Sequence, residues 1–114
     1  WEVYINGGRN ATGIDAILFS KEMEKLGAGE LLVNSLDRDG TKKGFDLELL
    51  NRICDAVNIP VIASSGAGSA EDFVKVFNET NVDAALAASI FHNDIISIYD
   101  LKKVLKQNNL KIRL

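Results

Sequence analysis

The sequence predicts an α/β fold in which parallel strands lie beneath helices, and three observations carry the prediction. Four stretches place apolar residues at helical spacing. Between them lie three short runs, Leu31-Leu32-Val33, Val61-Ile62-Ala63 and Ala84-Ala85-Leu86-Ala87, that are apolar throughout. Unbroken apolar runs predict strands buried on both faces, as in parallel sheets covered by helices. The runs begin about 30 and then 23 residues apart, close to the length of a βα repeat.

The chain opens with an extended stretch, Trp1 to Ile5, and Asn6-Gly7-Gly8 is a turn signal that predicts a hairpin ahead of the βα units. The first helical stripe is Ile14, Ile17 and Leu18, extended by Phe19, Met23 and Leu26. Thr12 three residues before Asp15 predicts its cap, and Gly27 and Gly29 mark its end. Leu50, Ile53, Cys54 and Val57 form the second stripe, with Asp46 placed to cap it. Ala70, Phe73, Val74 and Phe77 form the third, introduced by Ser69 and Asp72. A weaker fourth, Leu101, Val104 and Leu105, follows Ser97 and Asp100. Beyond residue 13 the predicted order is αβαβαβα. Three βα units fit either a doubly wound sheet or part of an eight-stranded barrel. Very short strands rich in Ala63, Ser64, Ala84, Ala85 and Ala87 suit a crowded barrel interior. A complete barrel takes about 250 residues, so 114 residues are one undivided part, 1–114, of an unclosed barrel.

Composition narrows the function. Thirteen basic and sixteen acidic residues give a net charge of −3 without a block of like charge, which argues against a nucleic-acid surface, even around Trp1, Tyr4 and Arg9. A local phosphate pocket remains compatible with that balance. A single cysteine, Cys54, excludes an internal disulfide framework and fits a reducing cytoplasm. No apolar run approaches the roughly 18 residues of a membrane span, and no signal peptide is expected. Trp1 at the start reads as an excerpt of a longer polypeptide.

In a parallel fold the chemistry sits at the C-terminal ends of the strands. The first such loop, Asn34-Ser35-Leu36-Asp37-Arg38-Asp39-Gly40-Thr41, places two carboxylates around an arginine, where a substrate could be held or a proton moved. The competing reading is a polar surface loop with local ion pairs. A calcium loop is rejected, because Gly40 comes two positions early and no Glu completes it. The second loop, Ser64-Ser65-Gly66-Ala67-Gly68-Ser69, runs into a capped helix, where glycines admit a ligand to backbone N–H groups and the helix end favours an anion. It lacks the third glycine of a dinucleotide fingerprint, and a plain turn is the alternative. The third, Ala88-Ser89-Ile90-Phe91-His92, adds backbone donors. Consecutive loops of this kind form a recurrent barrel phosphate site. His92 has no partners for a metal and reads as a hydrogen-bonded structural residue. Cys54 and the Phe73/Phe77 pair read as core. Asn10-Ala11-Thr12 and Asn78-Glu79-Thr80 match glycosylation sequons without consequence in a cytoplasmic chain.

The first loop, continued by Gly44-Phe45-Asp46-Leu47-Glu48, closely resembles the cyclase subunits of imidazole glycerol phosphate synthase, from histidine biosynthesis. Ile62-Ala63-Ser64-Ser65-Gly66-Ala67-Gly68 and Ala84 to His92 match the family in order and spacing. So do Trp1-Glu2-Val3-Tyr4, Gly27-Ala28-Gly29-Glu30 and Ile112-Arg113-Leu114. The resemblance implies the C-terminal portion of a (βα)8 TIM barrel in the cytoplasm. It implies a lyase that takes ammonia from a glutaminase partner. That enzyme converts phosphoribulosyl-formimino aminoimidazole carboxamide ribonucleotide to imidazole glycerol phosphate and aminoimidazole carboxamide ribotide. No cofactor, metal, nucleic acid or membrane is implied.

By the same resemblance Asp39 lies beside the substrate as a supporting catalytic group, and Asn34 points into the pocket. Gly66, Ala88 and Ser89 match positions that hold a terminal phosphate through backbone amides, with Gly40, Ser64 and Ala67 beside them. Glu30 matches a charged residue of the ammonia gate. The family's two principal catalytic aspartates lie on strands outside this sequence, so the chain is expected to be inactive alone. Ser65 stands where the family has glycine; a turn needing φ > 0 there would force the loop to shift. Two other readings compete: a paralogous ammonia-using cyclase of another pathway, and a non-catalytic half-barrel that self-associates through open sheet edges.

Overall fold

A computed structural model describes residues 1–114. Strands β1 (Glu2–Ile5) and β2 (Asn10–Asp15) form the antiparallel hairpin. Its turn runs through left-handed Asn6, Gly7 and Gly8, with φ of 55°, 67° and 84°. Helix α1 (Ala16–Lys25) starts later than its stripe predicts. Its cap is Asp15, whose carboxylate accepts the Leu18 N–H at 2.9 Å. Thr12 does not cap the helix: its hydroxyl donates to the Val3 carbonyl across the hairpin and accepts the Ile14 N–H. Ile14 therefore belongs to β2: its N–H is taken by the Thr12 hydroxyl and the next residue, Asp15, is paired with Glu2 across the hairpin.

Strands β3 (Leu31–Asn34), β4 (Val61–Ser64) and β5 (Ala84–Leu86) form a parallel sheet in sequence order. Leu31 to Asn34 pair with Val61 to Ser64, and Ile62 to Ser64 pair with Ala84 to Leu86. Helices α2 (Leu47–Ala56) and α3 (Ala70–Glu79) make the crossovers, and α4 (Ser89–His92) and α5 (Ile98–Gln107) complete the order. Asp46 caps α2 through the Leu49 N–H, and Ser97 caps α5 through the Asp100 N–H at 3.1 Å.

One sheet face is the core side. Val61 and Ala63 are buried there, with Leu31, Val33 and Ala85 packed around them. Leu49, Leu50 and Ile53 of α2 and Phe73, Val74 and Val76 of α3 close over these residues, and Leu101 and Leu105 of α5 join the same cluster. Phe45 meets Phe73 edge to face at 5.3 Å between ring centroids. The other face carries Leu32, Asn34, Ile62, Ser64, Ala84 and Leu86 by register. It is not covered by helices: Leu32 is 60% exposed and Leu86 45%. Burial on both faces therefore fails within this chain. A doubly wound sheet would have helices on both faces, whereas here successive crossovers stay on one. The sheet is an arc of a (βα)8 barrel: three units, not closed within the chain.

Candidate functional site

The C-terminal ends of β3, β4 and β5 surround a 270 Å³ cavity. Asn34, Asp39 and Gly40 reach it from the first loop, Ser64, Gly66 and Ala67 from the second, and Ala88 and Ser89 from the third. Every binding residue singled out in the sequence lines this one cavity, together with Asp39. Glu30 does not: it lies exposed before β3, at the opposite end of the strand. Lys42, not singled out in the sequence, is the only cation on the cavity wall, and Asp39 the only anion. Its left-handed φ of 56° in a polar loop leaves no signature in the sequence around it.

The glycines serve the loops before they serve a ligand. The Gly44 N–H donates to the Gly66 carbonyl at 2.8 Å. A Cβ on Gly66 would stand 2.1 Å from the Gly44 oxygen, and one on Gly68 2.3 Å from the Lys42 oxygen. The first two loops are thus pressed together at a distance only glycine allows. Arg38 stitches its own loop, donating through one guanidinium nitrogen to the carbonyls of Lys43 and Gly44 at 3.3 and 3.4 Å. It forms no ion pair with Asp37 or Asp39.

At the start of α3 the Asp72 carboxylate accepts the N–H of Gly68 at 2.7 Å and of Ser69 at 3.2 Å, so the helix's own acid takes the two donors just ahead of it. The backbone N–H groups of Gly66, Ala67 and Ala88 are different: none donates to any group of the chain. Gly66 and Ala67 are buried as well. All three residues line the cavity, where a ligand can take the hydrogen bonds that the chain does not make.

Ser65 holds the turn after β4 with φ of 82°. The turn does require the left-handed region, and the serine adopts it. Its hydroxyl accepts the Ser35 N–H at 3.2 Å and donates to the Asn34 side-chain oxygen. Ser64 donates to the same oxygen at 3.2 Å.

Other candidates fall away from the cavity. The His92 side chain is exposed and makes no hydrogen bond, so the structural role expected of it is absent. It ends the short helix α4, where the backbone alone is engaged. Cys54 packs partly against the core. Burial raises its thiol pKa; the Asn81 backbone opposes this, and Asp83 and Asp55 add to the rise. A protonated thiol is a poor nucleophile. No three His, Cys, Asp or Glu side chains converge as metal ligands. No helix is long and apolar enough to cross a membrane.

The family model described as "Histidine biosynthesis protein" matches residues 1–97. Among curated proteins, the chain is 54% identical over 114 residues to the imidazole glycerol phosphate synthase subunit HisF of Clostridium botulinum (strain Langeland), covering 100% of this chain and 45% of that protein. The subunits of the same name from Hydrogenobaculum sp. and Leuconostoc mesenteroides are 55% and 53% identical, with the same coverage. The chain thus spans about half the length of the curated relatives it matches.

Proposed function

The chain belongs to the family of histidine biosynthesis proteins, and from that premise we propose that it is the phosphate-gripping, C-terminal part of an imidazole glycerol phosphate synthase cyclase. The full reaction in this reading is a lyase-type cleavage and cyclisation. Ammonia delivered by a glutaminase partner enters the barrel, past Glu30, and meets phosphoribulosyl-formimino aminoimidazole carboxamide ribonucleotide. The products are imidazole glycerol phosphate and aminoimidazole carboxamide ribotide, and the reaction takes place in the cytoplasm.

The observation that carries the proposal is the set of unpaired N–H groups at Gly66, Ala67 and Ala88 on one cavity wall. Fixed N–H donors suit a phosphate, whose oxygens accept several hydrogen bonds at once. Ser89, first residue of α4, adds an N–H, and Lys42 adds positive charge. Asp39 is an acceptor for ligand hydroxyl or amine groups and a supporting catalytic group. Its N–H donates to the Ser35 carbonyl at 2.9 Å, which anchors the loop that carries it. The principal acid–base work falls to groups outside this chain, so the chain alone is inactive in this reading.

Calorimetric titration with the phosphoribulosyl substrate and with inorganic phosphate tests it. Both are expected to bind, and Ser89→Pro to weaken both about ten-fold by removing one donor. Proline is tolerated at a first helical position but disfavours the ψ of −65° at Ala88 before it, so the loss of binding is read together with an unchanged Tm of the variant. Binding of neither ligand, or full binding by the proline variant, counts against the site.

A further inference from the structure

We propose that Ser65 is a positioning residue that fixes the Asn34 carboxamide with its Nδ2 group presented to the cavity, so that Asn34 acts on the ligand as a hydrogen-bond donor. This rests on the reading of the cavity as a site for a phosphorylated ligand and specifies how one wall of it recognises that ligand.

The hydrogen bonds dictate the orientation. Ser64 and Ser65 are both about nine-tenths buried, and both hydroxyls find partners within the protein. The Ser65 Oγ already accepts the Ser35 N–H, which leaves its own hydrogen to be given away. The acceptor it meets is the Asn34 Oδ1. Ser64 donates to the same oxygen. A carboxamide oxygen has two lone pairs, and two hydroxyls fill them. The Nδ2 group has no partner in the chain, and Asn34 lines the cavity. Turning the amide over would put Nδ2 against the two hydroxyls and leave the Ser65 hydrogen buried without an acceptor.

The backbone points the same way. An L-residue with positive φ is costly, and the strain is tolerated where the surroundings hold it. Here the holding contacts are the two made by the Ser65 hydroxyl, across from β4 to the end of β3. The Ser35 hydroxyl extends the chain of bonds by donating to Asp46 at 3.3 Å. A donor at Asn34 selects a ligand group that accepts: a sugar hydroxyl, a carbonyl or a phosphate oxygen, and not an ammonium.

The test uses the complete protein with Ser65→Gly, Asn34→Ala and the double variant. Ribose 5-phosphate is the probe, and the Asn34 carboxamide signals are followed by nitrogen-resolved NMR. Ser65→Gly suits the left-handed φ but leaves the Ser35 N–H without its partner, two opposing effects, so the variant is expected to stay folded with its Tm shifted by only a few degrees. Its Asn34 carboxamide signals are expected to move toward the positions of a free amide, and its ribose 5-phosphate affinity to fall about ten-fold. In the Asn34→Ala background the same change should cost nothing more. Unmoved Asn34 signals in Ser65→Gly overturn the proposal, as does a loss of affinity that persists undiminished without Asn34. If the unaltered protein binds neither ribose 5-phosphate nor inorganic phosphate, the phosphorylated-ligand reading fails, and the Asn34 signals alone decide the positioning role.

Discussion

At Gly66 a hydrogen atom is all that separates one loop from another. Its φ of 104° and the 2.1 Å approach of the Gly44 oxygen to a notional Cβ leave no room for alanine. Gly66→Ala is expected to destabilise the fold by about 2–4 kcal/mol, since backbone must move and a left-handed φ must be held by a side chain. Denaturant unfolding checks this; a change under about 0.5 kcal/mol, the range of ordinary surface substitutions, would show that the loops separate easily. Asp39 behaves in the opposite way. It is exposed and its side chain makes no hydrogen bond within the chain, so its charge contributes little to the fold. On the proposed cyclase reading, Asp39→Asn in the complete protein is expected to cut turnover while leaving the Tm within a degree or two. Unchanged turnover would return Asp39 to a plain surface loop.

Among the elements, α2 shows how a single cap joins distant parts of the chain. Asp46 accepts the Leu49 N–H at the helix start, the Ser35 hydroxyl at the end of β3, and the Trp1 indole N–H at 3.3 Å. The Arg52 guanidinium stands 5.5 Å from the Trp1 ring and completes the cluster. Asp46→Ala is expected to cost about 1–2 kcal/mol through loss of the cap. It should also shift the fluorescence of Trp1, the one tryptophan of the chain. A stability loss without a spectral change would confine the role of Asp46 to the cap. Helix α1 teaches a different lesson about capping. A hydroxyl three residues before an acid is the same pattern at Thr12 and at Ser97, yet only Ser97 caps. Thr12 is claimed by a strand partner that is distant in sequence, and Asp15 takes over the cap.

For the molecule as a whole, the decisive feature is the sheet face without helices. Leu32 and Leu86 stand exposed on it, and β3 and β5 each pair on one side only. Exposed apolar side chains beside unpaired strand edges favour association. The 114-residue chain produced alone is therefore expected to self-associate through this face. Light scattering decides: a monodisperse species near 12.4 kDa contradicts it.

Apart from β2, which takes the residues expected to open α1, the sequence by itself determined the elements and their order, because apolar spacing, caps and turn residues act between near neighbours. Asp46, Ser69-Asp72 and Ser97 were legible as helix starts, and the loops after β3, β4 and β5 as the working end of the sheet. The motifs of those loops also carried the family resemblance. Tertiary structure alone decided which donors remain free. Gly66 and Gly68 admit the Lys42–Gly44 backbone, the Gly66 carbonyl takes the Gly44 N–H, and the N–H groups of Gly66, Ala67 and Ala88 keep no partner in the chain. It also decided that Ser65 holds Asn34, across 31 positions of sequence. The physical reason is common to all of these. A hydrogen bond or steric contact between loops depends on strand register and on which side the crossovers pack, and neither is written in local spacing.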